Sequence, residues 1–178
     1  MRIIGGRLRG KSLEWVSNAT TRPTTDRVKE NIFNVLTSSG IDFTRANVLC
    51  LFSGSGQMGI ECYSRGSENI TFNDIDKNAR DIIKKNCAVC NFVPHIYGFD
   101  YLDTLTKLKG QKFDLVFLDP PFADIGAPVK ASSFLLSNNM LNPNAIIVAE
   151  TETPDLEFGG FDVRVKNYGR AVIYFLCT

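Results

Sequence analysis

The chain has 178 residues, of which 44% are hydrophobic and 22% are charged, and its 20 Lys and Arg nearly balance 19 Asp and Glu. These values predict one soluble globular domain that is large enough to bury a core of its own. Because no apolar run is long enough to cross a membrane, no secretory leader is visible and only one histidine is present, we expect a cytoplasmic protein without a membrane partner or a metal site.

The first 22 residues are predicted to form a small appendage. Residues 2–4 and 12–15 have the character of two short strands, and the glycines between them favour a β-hairpin. Residues 1–29 carry seven Lys and Arg against two acidic residues, whereas the rest of the chain carries 13 against 17. This asymmetry predicts an anionic partner for the N-terminus, although a solvated basic tail explains the charge as well.

Residues 23–178 are predicted to form the main domain. A helix begins just after Thr25, and strands then alternate with helices before a final hairpin; the predicted strands cover residues 47–52, 69–73, 95–97, 114–118, 145–149, 161–166 and 171–176. This order implies an α/β fold with a mostly parallel seven-stranded sheet, helices on both faces and a C-terminal antiparallel hairpin at one edge. Ligands of such sheets bind at the carboxyl ends of the strands.

The first candidate site follows the first predicted strand, where the sequence contains G-x-G-x-x-G. Glycines permit a tight turn and a close approach of ligand to backbone, and Asp74, 20 residues after Gly54, can accept hydrogen bonds from both hydroxyls of a ribose. A ribose-bearing cofactor is therefore predicted, but the pattern does not distinguish NAD from S-adenosylmethionine, and a tight turn followed by a surface aspartate is the simpler alternative. The residues assigned to the cofactor here are Phe52, Ser53, Gly54, Ser55, Gly56, Gly59, Asp74 and Ile75.

The third predicted strand leads to Asp100 and Tyr101. An aspartate at this position reaches the adenine end of a cofactor, and the tyrosine ring can pack beside it. Asp100 also precedes a predicted helix, so it is equally a candidate for the helix N-cap, and both roles are compatible.

The fourth predicted strand ends in Asp119, Pro120, Pro121 and Phe122. Two prolines hold the backbone rigid, and the Asp119 carboxylate beside a backbone carbonyl forms a pair of hydrogen-bond acceptors. Such a pair fits an exocyclic amine, whose two N–H groups need two acceptors, and Phe122 offers a flat face for base stacking. A proline-rich loop with a helix-capping acid is the alternative interpretation.

These motifs together resemble the amino-methylating class I methyltransferases that use S-adenosylmethionine. The sequences at Met1–Gly6, Arg22–Glu30, Phe33-Asn34, Leu51–Gly56, Ser64–Gly66 and Tyr168-Gly169 narrow the resemblance to the RsmD family of bacterial 16S rRNA guanine-N2 methyltransferases. The resemblance covers essentially the whole chain.

The resemblance implies a Rossmann-like fold, S-adenosylmethionine as methyl donor, and methylation of guanine N2 in 16S rRNA within the 30S subunit, by a protein that we expect to be a monomer. It also implies that the glycine-rich loop holds the methionine part of the cofactor, Asp74 the ribose and Asp100 the adenine amine. The tetrapeptide that begins at Asp119 would hold the target base, with Asp119 also facing the cofactor. Arg22 and Thr24 would lie near both the cofactor and the RNA.

The chain departs from the family pattern at Cys50, where relatives usually carry an aspartate that orders the loop and the methionine end of the cofactor. We therefore expect weaker cofactor binding, unless another group such as Glu61 compensates. Replacing Cys50 with aspartate should then tighten binding.

Basic side chains of the N-terminus are predicted to hold RNA phosphates around a base that has left its stack. They are Arg2, Arg7, Arg9, Lys11, Arg22 and Arg27. Three other functions remain open at this point: the same chemistry on adenine N6 of DNA or on a protein glutamine, an NAD-dependent oxidoreductase, and a non-catalytic RNA-binding relative. The oxidoreductase would leave the Asp119 tetrapeptide unexplained, and only Cys50 supports the non-catalytic relative.

Overall fold

The computed structural model describes residues 1–15, 25–121 and 123–178. Five helices are present in this part of the chain: α1 (Asp26–Ser38), α2 (Gln57–Ser64), α3 (Lys77–Val89), α4 (Tyr101–Lys107) and α5 (Ala127–Ser137). The strands are β1 (Asn47–Cys50), β2 (Asn69–Asn73), β3 (His95–Tyr97), β4 (Phe113–Leu118), β5 (Leu141–Thr151), β6 (Asp162–Tyr168) and β7 (Ala171–Cys177). Among these helices, none is both long and apolar enough to span a membrane.

All seven strands belong to one sheet, in the order β3-β2-β1-β4-β5-β7-β6. Strands β1 to β5 are parallel, whereas β7 pairs antiparallel with both β5 and β6. The predicted mostly parallel sheet with a C-terminal antiparallel hairpin is therefore confirmed. The strand order reverses between β1 and β4, and a crevice forms at the carboxyl ends of the strands at such a point.

The helices cover both faces of the sheet, as predicted. One buried cluster joins the sheet to α1, α2 and α3, and a second joins the opposite face to α4 and α5. Along β1 and its end the side chains alternate, with Val48 and Cys50 in the first cluster and Leu49 and Leu51 in the second. A central strand that is buried on both faces requires the continuous apolar run seen in the sequence.

Local signals set where several helices begin. The side chains of Thr25, Asp76 and Asp100 each accept a hydrogen bond from a backbone N–H in the first turn of α1, α3 and α4. Gly56 precedes α2 with a φ of 79°, a left-handed conformation that glycine adopts without steric cost.

The N-terminal segment, residues 1–15, differs from the predicted hairpin. In place of two strands it has a single antiparallel bridge between Arg2 and Ser12 and a 3-10 turn at Gly6–Leu8. Ile3 and Leu13 are buried in the cluster on the α1–α3 face, so the segment contributes to the same core as the main domain. The predicted domain boundary between residues 22 and 23 lies outside the described residues and stays a prediction.

A buried carboxylate explains why the hairpin is replaced. Glu61 of α2 is fully buried and accepts hydrogen bonds from the backbone N–H groups of Ile4 (2.9 Å) and Gly5 (2.7 Å). Lys29 and Arg65 provide the compensating charges at 3.9 and 3.2 Å from the Glu61 carboxylate oxygens. The backbone donors that a longer ladder would use are thus taken by a side chain of the main domain.

Candidate active site

The candidate site lies where the carboxyl ends of β1, β2 and β4 meet. The Leu51 N–H donates to the Phe117 carbonyl (3.1 Å), so the glycine-rich loop leaves β1 beside the end of β4. The Ser53 N–H donates to the Asn73 carbonyl (2.9 Å), which brings the same loop against the end of β2. The structure therefore brings together the predicted loop, Asp74 and Asp119.

Asp74 is hydrogen-bonded directly to the glycine-rich loop. One carboxylate oxygen accepts from the Gly54 N–H (2.7 Å) and the other from the Asp76 N–H (2.9 Å). Each oxygen keeps a second lone pair, so the carboxylate can still accept hydrogen bonds from ribose hydroxyls. Burial raises the pKa of Asp74, and the neighbouring Asp76 charge acts in the same direction, while the two N–H donors and Arg80 oppose the shift.

Arg80 of α3 fixes the backbone around Asp74. Its guanidinium donates to the carbonyl oxygens of Asp74 (2.9 Å) and Ile75 (2.8 Å). A Cβ at Gly98, after β3, would lie 2.8 Å from the same guanidinium, so this glycine leaves room for the arginine. Ile75 is 70% exposed and presents an apolar surface next to the ribose-binding candidate.

The predicted loop glycines have different structural roles. Gly54 and Gly56 have φ values of 52° and 79°, which permit the turn. Gly59 is buried inside α2, where an added Cβ would lie 2.4 Å from the Phe72 ring. The structure therefore gives Gly59 a packing role between α2 and β2, beneath the loop that was predicted to hold the cofactor.

Asp100 and Tyr101 lie at the end of β3 as predicted. Asp100 is exposed and its Oδ1 accepts from the Leu102 N–H (2.9 Å), so it caps α4. The Tyr101 ring packs against Phe52 of the glycine-rich loop, with ring centroids 5.1 Å apart. The adenine-binding candidates thus adjoin the loop through an aromatic contact.

Asp119 follows β4 and retains contact with solvent. The protein packed around its carboxyl group raises the pKa of Asp119 well above the usual value, and the charges of Glu150 and Asp74 raise it further. Leu118 pairs with Ala149, so Asp119, directly after β4, and Glu150, near the end of β5, lie at the same edge of the sheet. We call Asp74, Asp119 and Glu150 the acidic cluster, because the charges of Asp74 and Glu150 both act on Asp119.

The proline residues hold the chain after Asp119. Pro120 is buried, and the carbonyl of the exposed Pro121 accepts from the Asp124 N–H (2.9 Å), which turns the chain towards α5. Phe122, Arg22 and Thr24, all predicted site residues, lie outside the described residues.

Three polar residues at the site were missed in the sequence. Glu150 directly follows the predicted fifth strand, and this change from apolar to acidic was its only local signal. Asn73 is buried, donates to the Leu51 carbonyl (3.0 Å) and accepts from the Thr104 hydroxyl (2.8 Å). Asn73 therefore ties the ends of β1 and β2 to α4.

Asn86 is the third missed residue, on the buried face of α3. Its side-chain amide donates to the carbonyls of Ser55 and Glu14, both at 2.9 Å, and its oxygen accepts from the Glu14 N–H at 2.8 Å. It connects the glycine-rich loop to the N-terminal segment. A polar residue at an apolar position of the helical repeat was the available signal.

Cys50 does not lie in the crevice but in the core on the α1–α3 face. Burial raises the pKa of its thiol, and nearby Cys87 raises it further, so the group is neutral. Glu61 does not compensate for the missing aspartate, because it is fully buried and its oxygens are held by the N-terminal segment, Lys29 and Arg65. The suggestion that Glu61 substitutes for the family aspartate is therefore wrong.

The predicted RNA-binding side chains are divided between two edges of the sheet. Arg2 forms an ion pair with Asp26 (2.8 Å) at the start of α1, and Arg27 lies beside it, exposed, at the edge that holds the site. The Arg7 guanidinium lies 4.3 Å from the Tyr63 ring near the end of α2, and Lys11 donates to the Val89 carbonyl at the end of α3. These two therefore lie towards the opposite edge, and Arg9 is exposed in the same turn as Arg7.

Within the residues that the structure describes, no group of three or more His, Cys, Asp or Glu side chains is arranged to hold a metal ion.

Comparison with known proteins gives matches over nearly the entire chain. The family described as Conserved hypothetical protein 95 matches residues 1–177. Ribosomal RNA small subunit methyltransferase D of Haemophilus influenzae is 38% identical over 156 residues, which cover 85% of this chain and 79% of the relative. YlbH of Bacillus subtilis is 39% identical over 178 residues, 95% of this chain and 94% of the relative.

A solved structure agrees with these sequence matches. The protein yhhF of Escherichia coli superposes with a TM-score of 0.85 at 30% identity, over 99% of this chain and 97% of that one. The architecture is that of class I methyltransferases, as the sequence resemblance implied. Since the family match extends from the first residue into the last strand, and two bacterial relatives exceed 30% identity over most of their own length, the chain belongs to the RsmD family.

Proposed function

We propose that this protein transfers the methyl group of S-adenosylmethionine to the exocyclic N2 amine of a guanine in 16S rRNA. The observation that carries the proposal is the position of Asp119 and the two prolines, at the end of β4 and beside the glycine-rich loop that leaves β1. A hydrogen-bond acceptor pair for an amine and a loop for a ribose-bearing cofactor thus adjoin in one crevice.

S-adenosylmethionine is the cofactor, and the residues of the crevice fit it. Asp74 has free lone pairs for ribose hydroxyls, and Gly54 and Gly56 open the loop. When bound, the cofactor supplies an electrophilic methyl group on a positively charged sulfur.

Asp119 and the Pro120 carbonyl are assigned to the incoming amine. Hydrogen bonds from both N–H groups to these acceptors orient the nitrogen lone pair towards the methyl carbon. With the cofactor bound, transfer would form the N–C bond, break the C–S bond and move positive charge from sulfur to nitrogen. The acidic cluster stabilises that charge until the nitrogen releases a proton to solvent, and Phe122 is assigned to stacking on the base.

Two findings support ribosomal RNA as the substrate. The Haemophilus influenzae relative is named for the small ribosomal subunit. In addition, two exposed cations of the N-terminus, Arg2 and Arg27, lie at the same edge of the sheet as the acidic cluster. The 30S subunit is the form of the substrate that we propose, and the enzyme acts as a monomer in the cytoplasm.

Asp119→Ala tests this proposal in transfer assays with labelled S-adenosylmethionine and 30S particles. Because the side chain acts on the amine, kcat should fall about 100-fold or more, while cofactor affinity should fall much less because Asp74 and the glycine-rich loop remain. Glu152→Ala, which removes an exposed carboxylate beyond the end of β5, is the matched control. Transfer by Asp119→Ala at the rate of this control would refute the role assigned to Asp119.

A further inference from the structure

A cleft lies between the start of α1 and the turn that joins β6 to β7. It encloses about 370 Å³ and is lined by Arg27, Val28, Asn167, Tyr168 and Gly169. Val172 pairs with Thr151 at the carboxyl end of β5, directly after Glu150 of the acidic cluster. The cleft therefore opens at the same edge of the sheet as Asp119.

A row of side chains continues from this cleft along β6. Arg164, Lys166 and Tyr168 point to one face of the sheet, because residues two apart in a strand share a face. Their partners on β7 include Phe175 and Ile173, which belong to the core under α1, so this is the α1 face. Both cations are exposed, whereas the tyrosine is half-buried against the core.

The electrostatics of the cleft favour an anionic ligand. The Arg27 charge lies close enough to Tyr168 to act on its hydroxyl. Asp26, the nearest acid at the start of α1, is already paired with Arg2 at 2.8 Å and lies 4.0 Å from the Lys29 ammonium. Asp162 lies on the same face of β6 beyond Arg164, and both charges act on Cys177. Within the described residues, neither Arg27 nor the two cations of β6 form an ion pair, so their charges can attract phosphate.

We propose that this cleft and the row on β6 bind the single-stranded RNA segment next to the target guanine, an inference that rests on the proposed function. The Tyr168 ring stacks on a base flanking the target, and Arg27 contacts its phosphate. Lys166 and Arg164, about 6.6 Å apart along the strand, follow the backbone to the next phosphates. Aromatic stacking combined with a line of cations is the arrangement by which proteins hold unpaired nucleic acid.

The position of this surface relative to Asp119 explains why it serves the same reaction. Asp119 accepts a base only after that base leaves its stack, so its neighbours must be held in an unstacked path. We call the cleft and the row on β6 together the groove. It starts at the edge of the sheet that holds the acidic cluster and runs away from that edge along β6. Arg7 and Lys11 lie towards the opposite edge. The groove thus supplies contacts at the edge of the sheet where Asp119 lies.

The experiment measures binding of labelled 16S rRNA to the full chain over a series of salt concentrations, with cofactor titration beside it. The double variant Arg164→Ala/Lys166→Ala should bind about tenfold more weakly and lower the slope of log affinity against log salt by about two. Tyr168→Ala should also lose about tenfold, but with an unchanged slope, because a stacking contact releases no counterions. Cofactor affinity should stay at its wild-type value in both variants.

Two further variants keep the test decisive. Tyr168→Phe retains the ring and should recover most of the affinity that Tyr168→Ala loses, while the wild-type cofactor affinity expected of Tyr168→Ala would show that this variant is folded. Lys112→Ala removes an exposed cation just before β4, at the opposite edge of the sheet, and serves as the matched control.

If the groove variants bind rRNA as tightly as Lys112→Ala does, the proposal that the groove binds RNA is overturned. Equal losses with duplex DNA would overturn its assignment to unpaired RNA. Binding and methyl transfer are separate readouts, so a wild-type protein that uses the groove but transfers no methyl group would support the groove and contradict the proposed function.

Discussion

At the residue scale, the acidic cluster brings together carboxyl groups whose mutual repulsion adds nothing to the stability of the fold. A carboxyl group whose pKa is higher in the folded than in the unfolded chain binds more protons when folded. For Asp119 the shift is upward, so its stabilising effect is present at low pH and is lost as pH rises through the folded pKa. At a pH above its raised pKa, an ionised Asp119 therefore costs stability.

Removing that charge should stabilise the protein. Asp119→Asn is expected to raise the melting temperature by about 1–3 °C at a pH above the raised pKa of Asp119, because the repulsion from Glu150 and Asp74 is relieved. The gain should shrink as pH falls below the raised pKa of Asp119, where the wild-type carboxyl is already neutral. Thermal unfolding of both proteins across pH provides the measurement. A gain that is the same at every pH, or a loss at a pH above that pKa, would contradict the assigned electrostatics.

Cys50 is the residue at which this chain differs from its family pattern, and the structure shows what an aspartate at this position would contact. The Gly59 N–H reaches the thiol, so an aspartate at this position could accept that hydrogen bond and order the start of α2. We expect Cys50→Asp to tighten cofactor binding by about fivefold, and to lower the melting temperature because the carboxylate is buried among Cys62 and Cys87. Isothermal titration checks the affinity, with Cys50→Ser as the uncharged control. An unchanged or weaker affinity would reject the idea.

Side chains that follow local rules could be predicted from the sequence, whereas those set by distant partners could not. The glycine-rich loop and Asp74 belong to a spacing that a strand–turn–helix unit requires, and Asp119 directly precedes two prolines. Asn73 and Asn86 depend on partners 22 to 72 residues away in sequence order, among them Leu51, Ser55 and Glu14. The one local signal, a polar residue at an apolar position of the helical repeat at Asn86, does not identify its partners.

At the element scale, the strands and helix starts follow from periodicity and capping residues, and the structure confirms them within a few residues. The N-terminal segment does not follow such rules, because Glu61, 57 residues beyond Ile4, binds its backbone. Short strands without a turn of defined type leave the register weakly specified, so a buried carboxylate decides the local structure.

Because residues 1–15 pack closely on α2, we expect alanine substitutions at two glycines of this segment to differ greatly in the stability that they cost. Gly6 has a φ of 71° and an added Cβ would lie 2.0 Å from the Ser64 carbonyl oxygen, whereas Gly10, with a φ of 87°, has nothing within 4 Å. Gly10→Ala should cost about 1 kcal/mol for the left-handed conformation alone. Gly6→Ala should cost about 3 kcal/mol or more, because the backbone of α2 must also move. Chemical denaturation of both variants measures the difference, and equal losses would show that the segment does not pack as described.

At the scale of the whole molecule, two charged features share the edge at which the parallel strands end. The acidic cluster faces the crevice, and the groove of Arg27, Tyr168, Lys166 and Arg164 leads away from it. The near-zero net charge of the chain does not reveal that acidic and basic groups are separated in this way. Counting charged residues along the sequence located only the basic N-terminus. The hairpin cations escaped prediction because only the antiparallel pairing of β6 with β7 places them on the α1 face.

The central claim is the transfer of a methyl group to guanine N2 of 16S rRNA. The most direct measurement offers labelled S-adenosylmethionine to 30S particles, naked 16S rRNA and duplex DNA, and then identifies the labelled nucleoside. We predict N2-methylguanosine in 16S rRNA and no label in DNA. Label in N6-methyladenosine, or in DNA, would contradict the substrate, and an absence of label from all three with no cofactor binding would contradict the account as a whole.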